Sequence, residues 1–115
     1  MSEESHYLKT KSSRLLSERE MSLVNCLLRE ASLVHVLNQQ KVIEMNDDGM
    51  GSLYFVHPFK TYEQRLMKKC VIEKQFIDSD RTPILVSLNV DDEDLLFELD
   101  IWKADFSKVL RYPSC

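Results

Sequence analysis

A chain of 115 residues with 43% hydrophobic and 30% charged side chains has the length and composition of one globular domain with its own core, not of a disordered segment. The net charge of −4 belongs to residues 39–115, and between 91 and 105 Lys103 is the lone cation among Asp91, Asp92, Glu93, Asp94, Glu98, Asp100 and Asp105. Such an end repels phosphate backbones, which argues against nucleic acid and favours a basic protein as partner.

Residues 1–12 are polar and are expected to form a flexible N-terminus, leaving 13–115 as a single α+β domain. The start lacks the apolar core of a secretory signal, and no apolar run reaches the ~18 residues of a membrane span. The expected location is therefore the cytoplasm, away from any membrane. Ser17 followed by Glu20 is a capping box, with Leu16 and Met21 at the staple positions. Leu23, Val24, Leu27, Leu28 and Ala31 then recur at helical spacing, so an amphipathic helix with one face to bury begins at Glu18. A second, shorter helix through Leu33, Val36 and Leu37 competes with a strand reading of the same stretch.

Lys41 to Met45 reads as a short strand, Asn46, Asp47, Asp48 and Gly49 as a turn, and 51–57 as the returning strand that Pro58 ends. Residues 59–67 form a connection, with a helical turn as one option. Strands follow over 70–77, from Pro83 to Val90, and from Leu95 to Trp102, separated by turns at 78–81 and 91–94. A helical turn capped by Asp105 is expected in the tail, before Pro113. The expected architecture is α+β: an N-terminal helix, or two, packed on one face of an antiparallel meander of four to five strands.

Parity assigns the faces. In the last strand Leu95, Phe97, Leu99 and Ile101 point to the core, while Glu98, Asp100 and Trp102 point away. Glu73, Gln75, Ser87 and Asn89 join them on a polar, net-negative face with one large aromatic. Asp91, Asp92, Asp94, Glu98, Asp100 and Trp102 are thus the candidate partner-binding residues, with Trp102 either a solvent-facing anchor or packed on Phe106.

Catalytic and metal-binding patterns are missing. The run from Asp91 to Asp94 lacks the spacing and distal glutamate of a calcium loop. His6, His35 and His57 have no metal-ligand spacing, and the turn at 46–52, with Met50 between Gly49 and Gly51, lacks the lysine and following helix of a phosphate loop. Glu98 and Asp100 lie ~6.5–7 Å apart along a strand, a separation glycosidases use, but on a sheet with no cleft to raise a pKa. No enzyme, cofactor or metal is expected. Cys26 and Cys70 read as buried thiols and Cys115 as a mobile terminal residue, a cytosolic usage without disulfides.

The stretch Met45, Asn46, Asp47, Asp48, Gly49, Met50, Gly51, Ser52, Leu53, together with the run from Phe97 to Phe106, resembles a family of small uncharacterised bacterial domains with a DGGMGSL-like turn and an ELDIWKVDF-like end. The resemblance spans most of 13–113, and Asp48 stands where it implies glycine. It implies no activity. Small acidic proteins of this kind look like the immunity proteins that neutralise antibacterial toxins, by analogy. The functional expectation is a stoichiometric binding protein, monomer or weak homodimer, that neutralises a basic cognate toxin through an acidic surface. The alternatives are a self-associating accessory domain or a small ligand-binding domain using the 46–52 turn with His57.

Overall fold

The computed structural model describes residues 7–10 and 12–115. Among them, six strands form one antiparallel sheet: β1 (Arg14–Leu15), β2 (Lys41–Glu44), β3 (Leu53–Phe55), β4 (Met67–Ile77), β5 (Pro83–Asp91) and β6 (Leu96–Lys103). Helix α1 (Glu18–Glu30) follows β1. The class is α+β, as the element order predicts.

The sheet order is β1-β2-β3-β6-β5-β4, so a simple meander is not what forms. Strands β4, β5 and β6 do run as a meander, but β6 then inserts beside β3. The cause is the 56–66 connection, which carries the chain across the sheet instead of returning it to the next edge. Expected frayed, residues 7–10 instead extend the edge: Leu8 bridges Met45, and the Lys9 amide donates to Glu44 O at 2.8 Å. The rest of the proposed flexible start, 1–6 and 11, lies outside the described residues.

The capping box forms as read. The Ser17 side chain accepts from the Glu20 amide at 3.3 Å, and Glu20 accepts from the Ser17 amide at 2.8 Å. Leu23, Val24, Leu27 and Leu28 are buried and meet Val42, Leu53, Phe55, Ile84, Val86, Leu88, Leu99 and Ile101 of the sheet. Each such side chain stabilises the fold by roughly 1.5–3 kcal/mol.

The expected second helix does not form. Ser32 takes φ 58°, the Leu33 amide donates to Leu28 O at 2.9 Å and the Ser32 amide to Arg29 O at 3.1 Å. That is a Schellman stop with serine in the position glycine usually holds. Leu37 is buried beyond it, while Val34 and Val36 are exposed.

The tail forms no helix among the described residues. Instead it is clamped by a buried cluster. Lys103 Nζ lies 2.9 Å from Asp78 and 2.7 Å from Asp80, and also donates to Lys108 O. Asp78 accepts from the amides of Leu110 and Arg111 at 2.8 and 2.9 Å. Burial alone would raise the Asp78 carboxyl, but the tail amides and Lys103 hold it far below the carboxylate range.

The chain end returns to α1, where Cys115 forms a disulfide with Cys26. This overturns the reading of three unpaired thiols: 89 residues separate the two cysteines, and the path of the tail back to α1 brings them together. Cys70 is the free cysteine and is exposed, not buried, because β4 is an edge strand. No described helix is long and apolar enough to cross a membrane.

Candidate functional site

The sheet face opposite α1 is assembled by register. Gln75, Leu85 and Trp102 form one row across β4, β5 and β6, Glu73, Ser87 and Asp100 the next, and Cys70, Asn89, Glu98 and Tyr54 a third that reaches β3. Parity therefore placed Glu73, Gln75, Ser87, Asn89, Glu98, Asp100 and Trp102 on one face, where the structure has them.

Parity fails at the start of β6. Asn89 pairs with Glu98 but Val90 pairs with Leu96, so Phe97 is an extra residue in a bulge. Leu96 takes the core position, and Leu95 precedes the strand, exposed. Phe97 turns to the outer face with its neighbour Glu98, contrary to the expectation that Leu95 and Phe97 point into the core.

That bulge builds a closed end. Tyr62, on a 3₁₀ turn (Tyr62–Gln64), stacks on Phe97 with ring centroids 5.4 Å apart and meets the edge of Tyr54 at 5.1 Å. The Arg65 guanidinium lies 4.9 Å from the Phe97 centroid and 5.5 Å from that of Tyr54. Arg65 donates twice to Asp91, at 2.9 and 2.7 Å, and to the carbonyls of Phe55 and Leu96. Asp91 is 0% exposed and also accepts from the amides of Glu93 and Leu95. Burial pushes its carboxyl up, but the Leu95 amide and Arg65 outweigh it and hold the pKa below the usual value. Asp91 is thus an internal tie and is corrected out of the partner-binding set. Arg65 is the residue that sequence reading missed, because an arginine in a connection carries no sign of a partner 26 residues away.

The remaining carboxylates divide. Asp92 is exposed on the 91–95 turn, while Asp94 pairs with Lys68 at 3.0 Å. Glu93 lies 3.1 Å from both Lys60 and His57. This turn is at the closed end, about 25 Å along β6 from Trp102 at ~3.3 Å per residue. Glu98 accepts from the Tyr62 hydroxyl at 2.6 Å and Asp100 from Asn89 Nδ2 at 2.7 Å. Burial, then the neighbouring Glu98 charge, pushes Asp100 up to about 7.

Beyond Asp100 the face is open. Trp102 is 44% exposed and meets the edge of Phe106, itself 69% exposed, at 5.6 Å between centroids. Ile77 and half-buried Leu85 lie on the same side. Both sequence alternatives for Trp102 hold in part: it packs on Phe106 and it faces solvent.

His57 does not join the 46–52 turn. Its Nδ1 accepts from the amides of Phe59 and Lys60 at 2.9 and 3.0 Å, so the ring proton sits on Nε2, facing Glu93. His57, Asp91 and Glu93 are close enough to share a cation. Yet a ring accepting at Nδ1 and protonated at Nε2 has no lone pair left for one. The two segments that carry the family resemblance meet directly. Ser52 Oγ accepts from the Ile101 amide at 2.8 Å and donates to Ile101 O at 3.2 Å, Leu53 stands opposite Leu99, and Met50 is buried with Sδ 3.5 Å from the Lys103 amide.

Residues 13–113 match the family described as Domain of unknown function (DUF6984), and the chain belongs to that family. No curated protein and no solved structure matches it.

Proposed function

We propose that this DUF6984 chain is a stoichiometric binding protein that docks a basic protein partner on the open end of its outer sheet face. We further propose an immunity-type role, in which the partner is a cognate bacterial toxin whose active surface is occluded. The observation that carries the binding reading is the uncovered Trp102–Phe106 pair beside Asp100, Glu98 and Glu73. A large aromatic that a partner could bury, next to carboxylates it could neutralise, has the makeup of an interface hot spot, worth ~2–4 kcal/mol for one anchor. The toxin rests on analogy with small acidic inhibitors. The reading is of a binder and not a catalyst, since Glu98 and Asp100 are tied to Tyr62 and Asn89.

Burial of Asp91 narrows the binding set to Asp100 and Trp102 at its centre, Glu98 behind them, and Asp92 and Asp94 as distant steering charges. The test is affinity capture from the native host with the wild type, Trp102→Ala, Asp100→Lys and Asp92→Lys, each checked for an unchanged melting temperature. The first two variants should lose the captured protein, and Asp92→Lys should slow its association while retaining it. Wild-type capture by both Trp102→Ala and Asp100→Lys would remove this face from consideration.

A self-associating accessory domain is the second reading, favoured by the same exposed patch and by β4, an 11-residue edge strand. Two register irregularities in β4 oppose edge pairing, so self-association would use the face. A sedimentation series in concentration separates the readings: a dimer lost in Trp102→Ala supports the second.

A further inference from the structure

A cavity of about 510 Å³ opens beside the 46–52 turn. Its described walls are that turn, the first turn of α1 and the tail, which contributes Lys108 and Tyr112. The volume falls within the ~300–1,000 Å³ typical of small-molecule sites.

Most of its charges are already engaged. Arg14 forms a two-bond pair with Glu20 at 2.7 and 2.9 Å and reaches Glu44 at 3.2 Å, which Lys9 also approaches. Asp47 accepts from the amides of Met50 and Ser52. Arg19 and Lys108 are the exception: neither has a carboxylate partner among the described residues. Arg19 is held over the Tyr112 ring, 4.7 Å from its centroid. Lys108 is laid along the turn, its Cγ 3.6 Å from where a side chain on Gly49 would begin. The backbone amides of Asp48, Gly49 and Gly51 donate to no described protein acceptor, and all three residues line the cavity. Positive φ at Asp48 (58°), Gly49 (83°) and Gly51 (102°) curls the turn tightly, and its Met50 and Ser52 amides are taken by the Asp47 carboxylate, leaving those of 48, 49 and 51.

The sequence reading set aside a phosphate loop because no lysine and no helix follow the glycines. The fold supplies both from elsewhere: Lys108 arrives from the tail, and the start of α1 forms another wall. We propose that this cavity binds a small organic anion through a phosphate or carboxylate head, held by Arg19, Lys108 and the amides of Asp48, Gly49 and Gly51. Asp48 is the one opposing carboxylate without a partner, and it weakens that binding. This site is separate from the outer face and stands whatever docks there.

The experiment titrates inorganic phosphate and, separately, succinate into the full chain at constant ionic strength, following backbone amide NMR signals. Saturable shifts are expected at Gly49 and Gly51. Lys108→Gln and Arg19→Gln should each weaken binding about tenfold, Asp48→Asn should tighten it several-fold, and Trp102→Ala should leave it unchanged. A response to phosphate alone assigns a phosphoryl head, to succinate alone a carboxylate, and to both a site for either. No saturable shift with either probe overturns the proposal, as does an affinity unaltered in well-folded Lys108→Gln and Arg19→Gln.

Discussion

The two ends of the outer sheet face share three strands, yet one is sealed and the other is bare. At the sealed end the 56–66 connection lays Tyr62 and Arg65 over Tyr54 and Phe97, and a buried ion pair with Asp91 fixes it. At the bare end Trp102 is 44% exposed, with the Phe106 ring beside it. The sealed end therefore carries stability, and the open end can vary in what it touches without unfolding the domain.

The largest expected effect breaks the sealed end. Arg65→Met keeps much of the side-chain volume but leaves Asp91 as a buried charge without its cation, at a cost of ~3–5 kcal/mol in urea unfolding. Because the folded Asp91 pKa is depressed, its contribution is present above the unfolded value near 4 and is lost as the pH falls through the folded value. Wild type should therefore lose its advantage over Arg65→Met on acidification below about pH 4. A loss under ~1 kcal/mol at neutral pH would mean that the pair does not hold this end.

The middle of the face titrates with the opposite sign. Asp100 has its pKa raised to about 7, so between the unfolded value and 7 the folded state holds the proton more tightly than the unfolded chain. Stability conferred by protonated Asp100 is full in acid and falls as the pH rises through that window. Asp100→Asn should match the wild type near pH 4 and exceed it at pH 8 by about 1–2 kcal/mol, discounted for partial exposure. An equal difference at both pH values would show that Glu98 and burial do not strain this carboxylate. A basic partner would favour the ionised form, so docking near neutral pH should release a proton.

Local pattern made much of this legible. The capping box at Ser17 and Glu20, the apolar stripe of α1 and the alternation along β5 are set by neighbours in sequence, and each stands as read. What could not be read depends on residues far apart. The bulge that turns Phe97 outward arises from how β6 meets β5, and a single-strand parity count cannot contain it. The insertion of β6 beside β3 follows from where the 56–66 connection crosses, and that crossing is fixed by Arg65 meeting Asp91. The Cys26–Cys115 bridge joins residues 89 apart, in a tail whose Leu110 and Arg111 amides Asp78 holds. The Ser32 stop was hidden because its left-handed conformation is one serine rarely adopts, while Leu33 and Leu37 kept a helix-like spacing. Asp91 was misassigned for the same reason as Arg65 was overlooked: an acidic turn looks solvated until its buried partner is known.

The smallest effect is expected at the bare end, and its smallness is informative. Removing the half-exposed Trp102 leaves no deep cavity, so Trp102→Ala should change unfolding free energy by less than ~1 kcal/mol, against several for Arg65→Met. As the sole tryptophan, Trp102 also reports its own environment by fluorescence. Acrylamide should quench it readily in the wild type and more strongly in Phe106→Ala, because Phe106 is the ring packed against it. Arg65→Met, at a pH where it remains folded, should leave the quenching unchanged, since Arg65 packs on Phe97 at one end of β6 and Trp102 on Phe106 at the other. Protection of Trp102 in the wild type comparable to that of a buried indole would mean that the two ends are closed alike, and the docking surface would then have to lie elsewhere on the domain.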